Sequence, residues 1–184
     1  MKFKLHDVES APEATQSKLA AAKKAFGTIP NLYRGFATNP ATLKVYLAFN
    51  EFLKEHGQLT QIEQQVVYIT VSAENGCIYC VGAHSALSTM VKMPEVVLRE
   101  LREQRPLSDP KLNQLREFTL SVMQQNGHVP EADLEAFQSA GYDQGHVLEV
   151  LTILAQKTLS NYYNHIANTP LDDMFGSQQW QPAE

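Results

Sequence analysis

The chain has 184 residues, enough for one domain that buries about 70% of the surface its unfolded form exposes, so no disulfide staple is needed. Charged residues make up 19% of it, 15 basic against 20 acidic, without a basic stripe or an aromatic-rich basic segment, which argues against a nucleic-acid partner. The opening "MKFKLHDVES" turns polar after Leu5 and no apolar run of about 18 residues follows; neither a signal peptide nor a membrane span is expected, and the default is a soluble cytoplasmic protein.

Punctuation along the chain is helical almost throughout, and strand-like alternation is scarce. Ser10 with Glu13 reads as a capping box for a helix ending before Gly27, and Pro30 starts a short helix through "NLYRGFA". Asn39-Pro40 opens "ATLKVYLAFNEFLKEH", closed by Gly57. Thr60 and Glu63 form a second capping box, ahead of "QIEQQVVYITVSAE". The β-branched run "VVYITV" inside it resembles a strand, yet the capping box and a length of about fourteen residues favour a buried helix. Asn75-Gly76 breaks that helix, and another runs from Cys77 to about Val91. Pro94 starts a further helix, Asp109-Pro110 one that stops near Gly127, and Pro130 a short one ending at Gly141. Asp143 caps the last long helix through "HVLEVLTILAQKTLSNYYNHIA", and the tail from Thr169 reads as irregular. There is no linker, low-complexity tract or fixed-period repeat, so the expectation is one all-α domain over residues 1–184.

The chemistry concentrates in "ENGCIYCVGAH", residues 74–84, which holds both cysteines of the chain. On a helix, Cys80 lies about 60° from Cys77 around the axis and His84 falls between them, about 20° from Cys77. All three share one narrow face. Cys80 and His84 stand one turn apart, so imidazole and thiol can reach each other and favour a thiolate. Cys77 at the helix start gains from the unpaired N–H groups and the positive dipole end. The Asn75-Gly76 break leaves that start open to a small ligand and sets Glu74 beside it.

Three readings of the cluster stand side by side. A buried cysteine is commonly a small core hydrophobe. Cys-x-x-Cys supplies half a tetrahedral zinc shell, with His84 as a third ligand and no evident fourth, since His6, His56, His128, His146 and His165 stand alone. In a reducing compartment a lone close pair is more often redox-active or metal-binding than a permanent bridge.

Cys77-Ile78-Tyr79-Cys80 with His84, preceded by "LTQIEQQVVYITVSAENG", resembles the carboxymuconolactone decarboxylase superfamily in its alkylhydroperoxidase D-like (AhpD-like), peroxidase-related branch. The likeness is strongest from Leu59 to Met90 and looser through "GTIPNLYRGFATNPATLKVY" and "NYYNHIANTPLD", with a motif core at about 40–125. It implies an AhpD-like helical domain that forms a homo-oligomer, a trimer or hexamer, and a cofactor-free peroxidase acting on hydrogen peroxide or organic hydroperoxides. Cys80, paired with His84, would be the thiolate that attacks the O–O bond, and Cys77 would resolve the sulfenic acid as a disulfide. An external dithiol, a lipoyl protein or a thioredoxin-like partner, would reduce it.

Two positions depart from the family pattern. Where it carries a relay glutamate twelve residues before the first cysteine this chain has Gln65, which can orient a water but not carry a proton. Glu74, beside the cysteines, and Glu63 are the candidate replacements, against the plainer readings of a solvated helix end and a capping box. Tyr79 stands where a second histidine separates the cysteines. Tyr33 and Phe36 are candidates for an apolar substrate wall, and His165 for a site or interface residue. Remaining alternatives are a general thiol–disulfide oxidoreductase or redox sensor, and a non-catalytic helical oligomer that binds a metal or ligand.

Overall fold

The computed structural model describes residues 3–182 and contains no strand among them. Nine α-helices follow in chain order: α1 Glu13–Phe26, α2 Asn31–Phe36, α3 Pro40–His56, α4 Gln61–Glu74, α5 Ile78–Met90, α6 Glu95–Arg102, α7 Pro110–Gln124, α8 Glu131–Ser139 and α9 Gln144–Ala167. None is long and apolar enough to cross a membrane.

Local chemistry sets most of these boundaries. Asn39, Thr60, Asp109 and Asp143 cap their helices through their side chains, each removing an orphan N–H from a helix start at about 1 kcal/mol. The expected Ser10 box does not form. Pro12 precedes α1 without a side-chain cap, because Ser10 Oγ turns back and accepts from Asp7 N at 3.0 Å.

Helix α4 is the central element, buried from Gln65 through Ala73 and packed against α5, α7 and α9. Burial on all sides accounts for its β-branched sequence, since tertiary packing outweighs the small propensity cost. Two cores flank it. The larger joins α4 to α6, α7, α8 and the middle of α9. The smaller joins α1, α2 and α3 to Cys77, Tyr79 and Cys80.

The tail is less irregular than its sequence implies. A 3-10 segment, Asp173–Gln178, follows Asp172 and lies along α5. Asp172 accepts from Tyr79 Oη at 2.6 Å and from Asn31 N at 2.9 Å. Further on, Arg102 donates to the carbonyls of Gln178 and Gln179, and Trp180 Nε1 donates to Arg102 O at 2.7 Å. These bonds replace the regular ladder that the segment's prolines deny it.

Candidate active site

The α4–α5 junction is a Schellman turn. Gly76, at φ 67°, takes the left-handed conformation; its N–H bonds Ala73 O at 2.9 Å, and Cys77 N bonds Ser72 O at 2.8 Å. Cys77 therefore ends one motif and starts α5 as its N-cap. That start is covered rather than open: Cys77 and Cys80 are each 1% exposed, and both are free thiols.

Helix α9 supplies what surrounds the sulfurs. Asn164 Nδ2 donates to Cys80 Sγ at 3.3 Å and lies 3.9 Å from Cys77 Sγ. Lys157 Nζ is 3.8 Å from Cys80 Sγ, and Ser160 Oγ is 3.9 Å away. Burial raises the Cys80 thiol, but a hydrogen bond from Cys77, the charge of Lys157 and the Ser160 and Asn161 side chains outweigh it and bring it down to about 5. Cys77 is pushed up, first by its bond to Cys80 and then by burial. The two sulfurs thus share one proton: Cys80 is a thiolate at neutral pH, and Cys77 remains its hydrogen-bond donor.

His84 is not the thiolate's partner that the helical spacing implies. Its ring stacks on Tyr68, with centroids 4.4 Å apart, and bonds Gln65 Oε1 through Nδ1 at 2.9 Å and Lys157 Nζ through Nε2 at 2.8 Å. Burial and then the neighbouring Lys157 charge hold it well below the usual imidazole range, so it is neutral. Lys157 stands between ring and sulfur. The amide oxygen of Gln65 accepts only, which places the ring proton on Nδ1 and leaves Nε2 as an acceptor for Lys157.

A cavity of about 240 Å³ opens onto Cys80, His84 and Lys157, walled by Tyr33, Tyr46, Leu87 and the tail residue Phe175. Tyr33 therefore lies where the apolar wall was expected, whereas Phe36 packs in the core between Tyr46 and Tyr163. Tyr79 also lines the cavity, and its hydroxyl ties α5 to Asp172 and to Leu32 N of α2.

The remaining candidates lie elsewhere. Glu74 is exposed and accepts from Gln124 Nε2 at 3.0 Å, so the expected relay carboxylate does not reach the thiols. Glu63 completes its capping box and binds Lys111 and Tyr142, away from the sulfurs. His165 is exposed. Among the described residues no three His, Cys, Asp or Glu side chains gather to hold a metal. The groups around the sulfurs, an ammonium and two amides, suit an anion rather than a cation.

Residues 40–107 match the model of the carboxymuconolactone decarboxylase family. The fold is similar to the alkylhydroperoxidase AhpD core of a peroxidase-related protein from Ralstonia eutropha JMP134, with TM-score 0.85, 22% identity, and 95% of this chain and 93% of that one covered. A peroxidase-related protein from Silicibacter sp. TM1040 superposes with TM-score 0.80 at 20% identity, over 97% and 96%. The chain belongs to the carboxymuconolactone decarboxylase superfamily. This superfamily member is also similar in fold to the debrominase Bmp8, solved in complex with 2,3,4-tribromopyrrole, with TM-score 0.79, 12% identity and 97% and 95% coverage. No curated protein sequence matches it.

Sequence reading passed over Lys157 and Asn164 of this AhpD-like domain. The signal that marks them is a polar stripe, Lys157, Ser160, Asn161 and Asn164, repeating at helical spacing on the buried face of α9. A row of unexplained polar residues on a core face points to an internal site.

Proposed function

We propose that the protein is a thiol peroxidase that reduces hydrogen peroxide or a small organic hydroperoxide through a Cys77/Cys80 dithiol–disulfide cycle. One observation carries the reading: a depressed thiol, Cys80, faces a cavity while a protonated thiol, Cys77, is hydrogen-bonded to it. The first can attack an O–O bond; the second can condense with the sulfenic acid that results. Superfamily membership and the likeness in fold to peroxidase-related proteins point the same way.

The disulfide would return to the dithiol by exchange with an external dithiol. A lipoyl protein suits this better than a thioredoxin-like partner, because both sulfurs are buried and a slender arm can enter a cavity that a folded surface cannot. The proposed setting is the cytoplasm, and the proposed assembly is a homo-oligomer, a trimer or hexamer. Phe52 and Leu148, 59% and 58% exposed, supply apolar surface for the contact.

A second reading draws on the aromatic wall and the Bmp8 fold. A buried cavity of about 150 Å³ accepts benzene, so this one, at about 240 Å³, accommodates a small substituted ring. The same dithiol could then take a halogen from an electron-rich haloarene, forming the disulfide and releasing halide and the reduced arene.

Comparing wild type with two variants tests the proposal. Cys80→Ser is expected to abolish peroxide consumption. Cys77→Ser is expected to consume about one equivalent and stop, with a sulfenic acid trapped at Cys80. Unchanged turnover in Cys80→Ser would overturn the assignment. Release of halide from a bromopyrrole, with no peroxide consumption, would favour the second reading.

A further inference from the structure

We infer that Lys157 is a catalytic residue of this site, holding Cys80 as an anion and delivering the proton that the leaving oxygen of the peroxide takes. This rests on the thiol-peroxidase reading for the second role but not for the first.

The geometry singles it out. Lys157 is 1% exposed in the middle of α9, where a lysine has no ordinary reason to be. A buried ammonium needs a counter-charge and hydrogen-bond acceptors. Among the described residues no carboxylate lies within ion-pair distance of its Nζ. What surrounds it is Cys80 Sγ at 3.8 Å, His84 Nε2 at 2.8 Å and the face of the Tyr68 ring, 5.3 Å from Nζ to centroid. Cys80 is the one group of these that can be anionic at neutral pH. The other titratable groups facing that sulfur are Cys77 and Tyr46, both pushed up by burial and by Cys80 itself, so neither competes as a negative charge.

The second role follows from position. Lys157 and Cys80 line the same cavity, so a peroxide whose terminal oxygen approaches the sulfur has its other oxygen within the ammonium's neighbourhood. Cys80 S⁻ attacks the terminal oxygen of ROOH; the S–O bond forms, the O–O bond breaks, and RO⁻ takes a proton from the Lys157 ammonium to leave as ROH. The Cys77 thiol then displaces hydroxide from the Cys80 sulfenic acid, its own proton leaving with that hydroxide as water. The balance is one disulfide, one alcohol, one water and a neutral Lys157 amine. Reduction by an external dithiol returns two thiols, and the Cys80 proton passes back to Lys157. His84 and Gln65 are positioning residues: the Nδ1–H bond to Gln65 keeps the imidazole neutral and its Nε2 aimed at Nζ.

Two readouts on Lys157→Gln test the two roles. In the first, thiolate ultraviolet absorbance is followed against pH without peroxide. Wild type half-titrates near pH 5, and the variant is expected to move up by at least about two units toward an ordinary thiol. Lys157→Arg, which keeps the charge, is expected to restore most of the shift. An unmoved titration in Lys157→Gln overturns the proposal. In the second, oxidation rates are compared at a pH where the thiol of each protein is ionised. A general acid contributes about 10²–10⁴-fold, so tert-butyl hydroperoxide is expected to lose about 100-fold or more. Peracetic acid, whose leaving carboxylate needs no proton, is expected to lose less than about 10-fold on the same basis. Equal losses on the two oxidants overturn the proton-donor role. A wild type inert to every hydroperoxide, with the titration shift intact, ends the peroxidase reading and leaves the charge-holding role standing. Should Lys157→Gln not fold, the wild-type protein supplies the test by NMR: the Lys157 side-chain resonance must step at the pH where thiolate absorbance appears, and a flat resonance overturns the proposal.

Discussion

The pH dependence of Cys80 alkylation can be worked out in advance. The perturbation is pH alone, and the probe is iodoacetamide, small enough for a cavity of about 240 Å³. With its thiol near 5, Cys80 is about 90% ionised at pH 6 and fully ionised at pH 8. An ordinary cysteine, near 8.5, goes from about 0.3% to about 24% over the same range. A thiolate of low pKa is also a weaker nucleophile, by about 40-fold for this difference at a Brønsted slope of roughly 0.45. The roughly 300-fold gain in ionised fraction at pH 6 therefore nets to less than about 10-fold in rate. Absolute speed is a poor discriminator; the profile is a good one. Native Cys80 is expected to react at a rate that changes by about 10% between pH 6 and 8 and falls tenfold per unit well below 5, while the urea-unfolded chain rises roughly 75-fold between pH 6 and 8. Peptide mass mapping of the adduct separates Cys80 from Cys77. A native rate that climbs in parallel with the unfolded control, or an adduct mainly at Cys77, would refute the assignment of the anion to Cys80.

Two further outcomes concern the scaffold. Tyr79→Phe removes the 2.6 Å bond to Asp172 and leaves Leu32 N without its 3.3 Å acceptor. The loss should be about 2–3 kcal/mol, or about 4–12 °C in the melting temperature of a domain this size, with faster alkylation of Cys80 as the tail loosens; a melting temperature unchanged within about 1 °C would show that the tail is held some other way. At Glu63, burial raises the carboxyl but the bonds from Lys111, Thr60 and Tyr142 outweigh it, bringing it from 4.5 to about 2. A depressed carboxyl stabilises above its unfolded value and loses that contribution as pH falls through its folded one. Glu63→Gln should therefore lower the urea midpoint at pH 7 and close the gap to wild type between about pH 4.5 and 2; a constant gap across that range would refute the linkage.

The helical frame was legible because its signals are local. Caps such as Thr60 with Glu63 and Asp143, and the Asn75-Gly76 break, act within a few residues and act alike in sequence and structure. Ser10 misleads because a competing local bond, to Asp7, uses the same hydroxyl. The site was half legible. Helical spacing places Cys77, Cys80 and His84 on one face, but it does not set a rotamer, and the ring turns to Tyr68, Gln65 and Lys157 instead of the thiol. The charge that matters comes from α9, 77 residues along the chain, where only tertiary packing brings it to the sulfur. Gln65, read from the family pattern as a missing proton carrier, becomes intelligible as the acceptor that fixes a histidine tautomer once its partner is known.

The central claim is that Cys80 reacts with a hydroperoxide and then bonds to Cys77. Intact-mass measurement of the reduced protein before and after one equivalent of hydroperoxide tests it most directly. The account predicts that each chain loses the mass of two hydrogens and that both thiols disappear from alkylation, reversibly with a dithiol. A chain that keeps its mass and both thiols, or that gains oxygen without closing the disulfide, would contradict it.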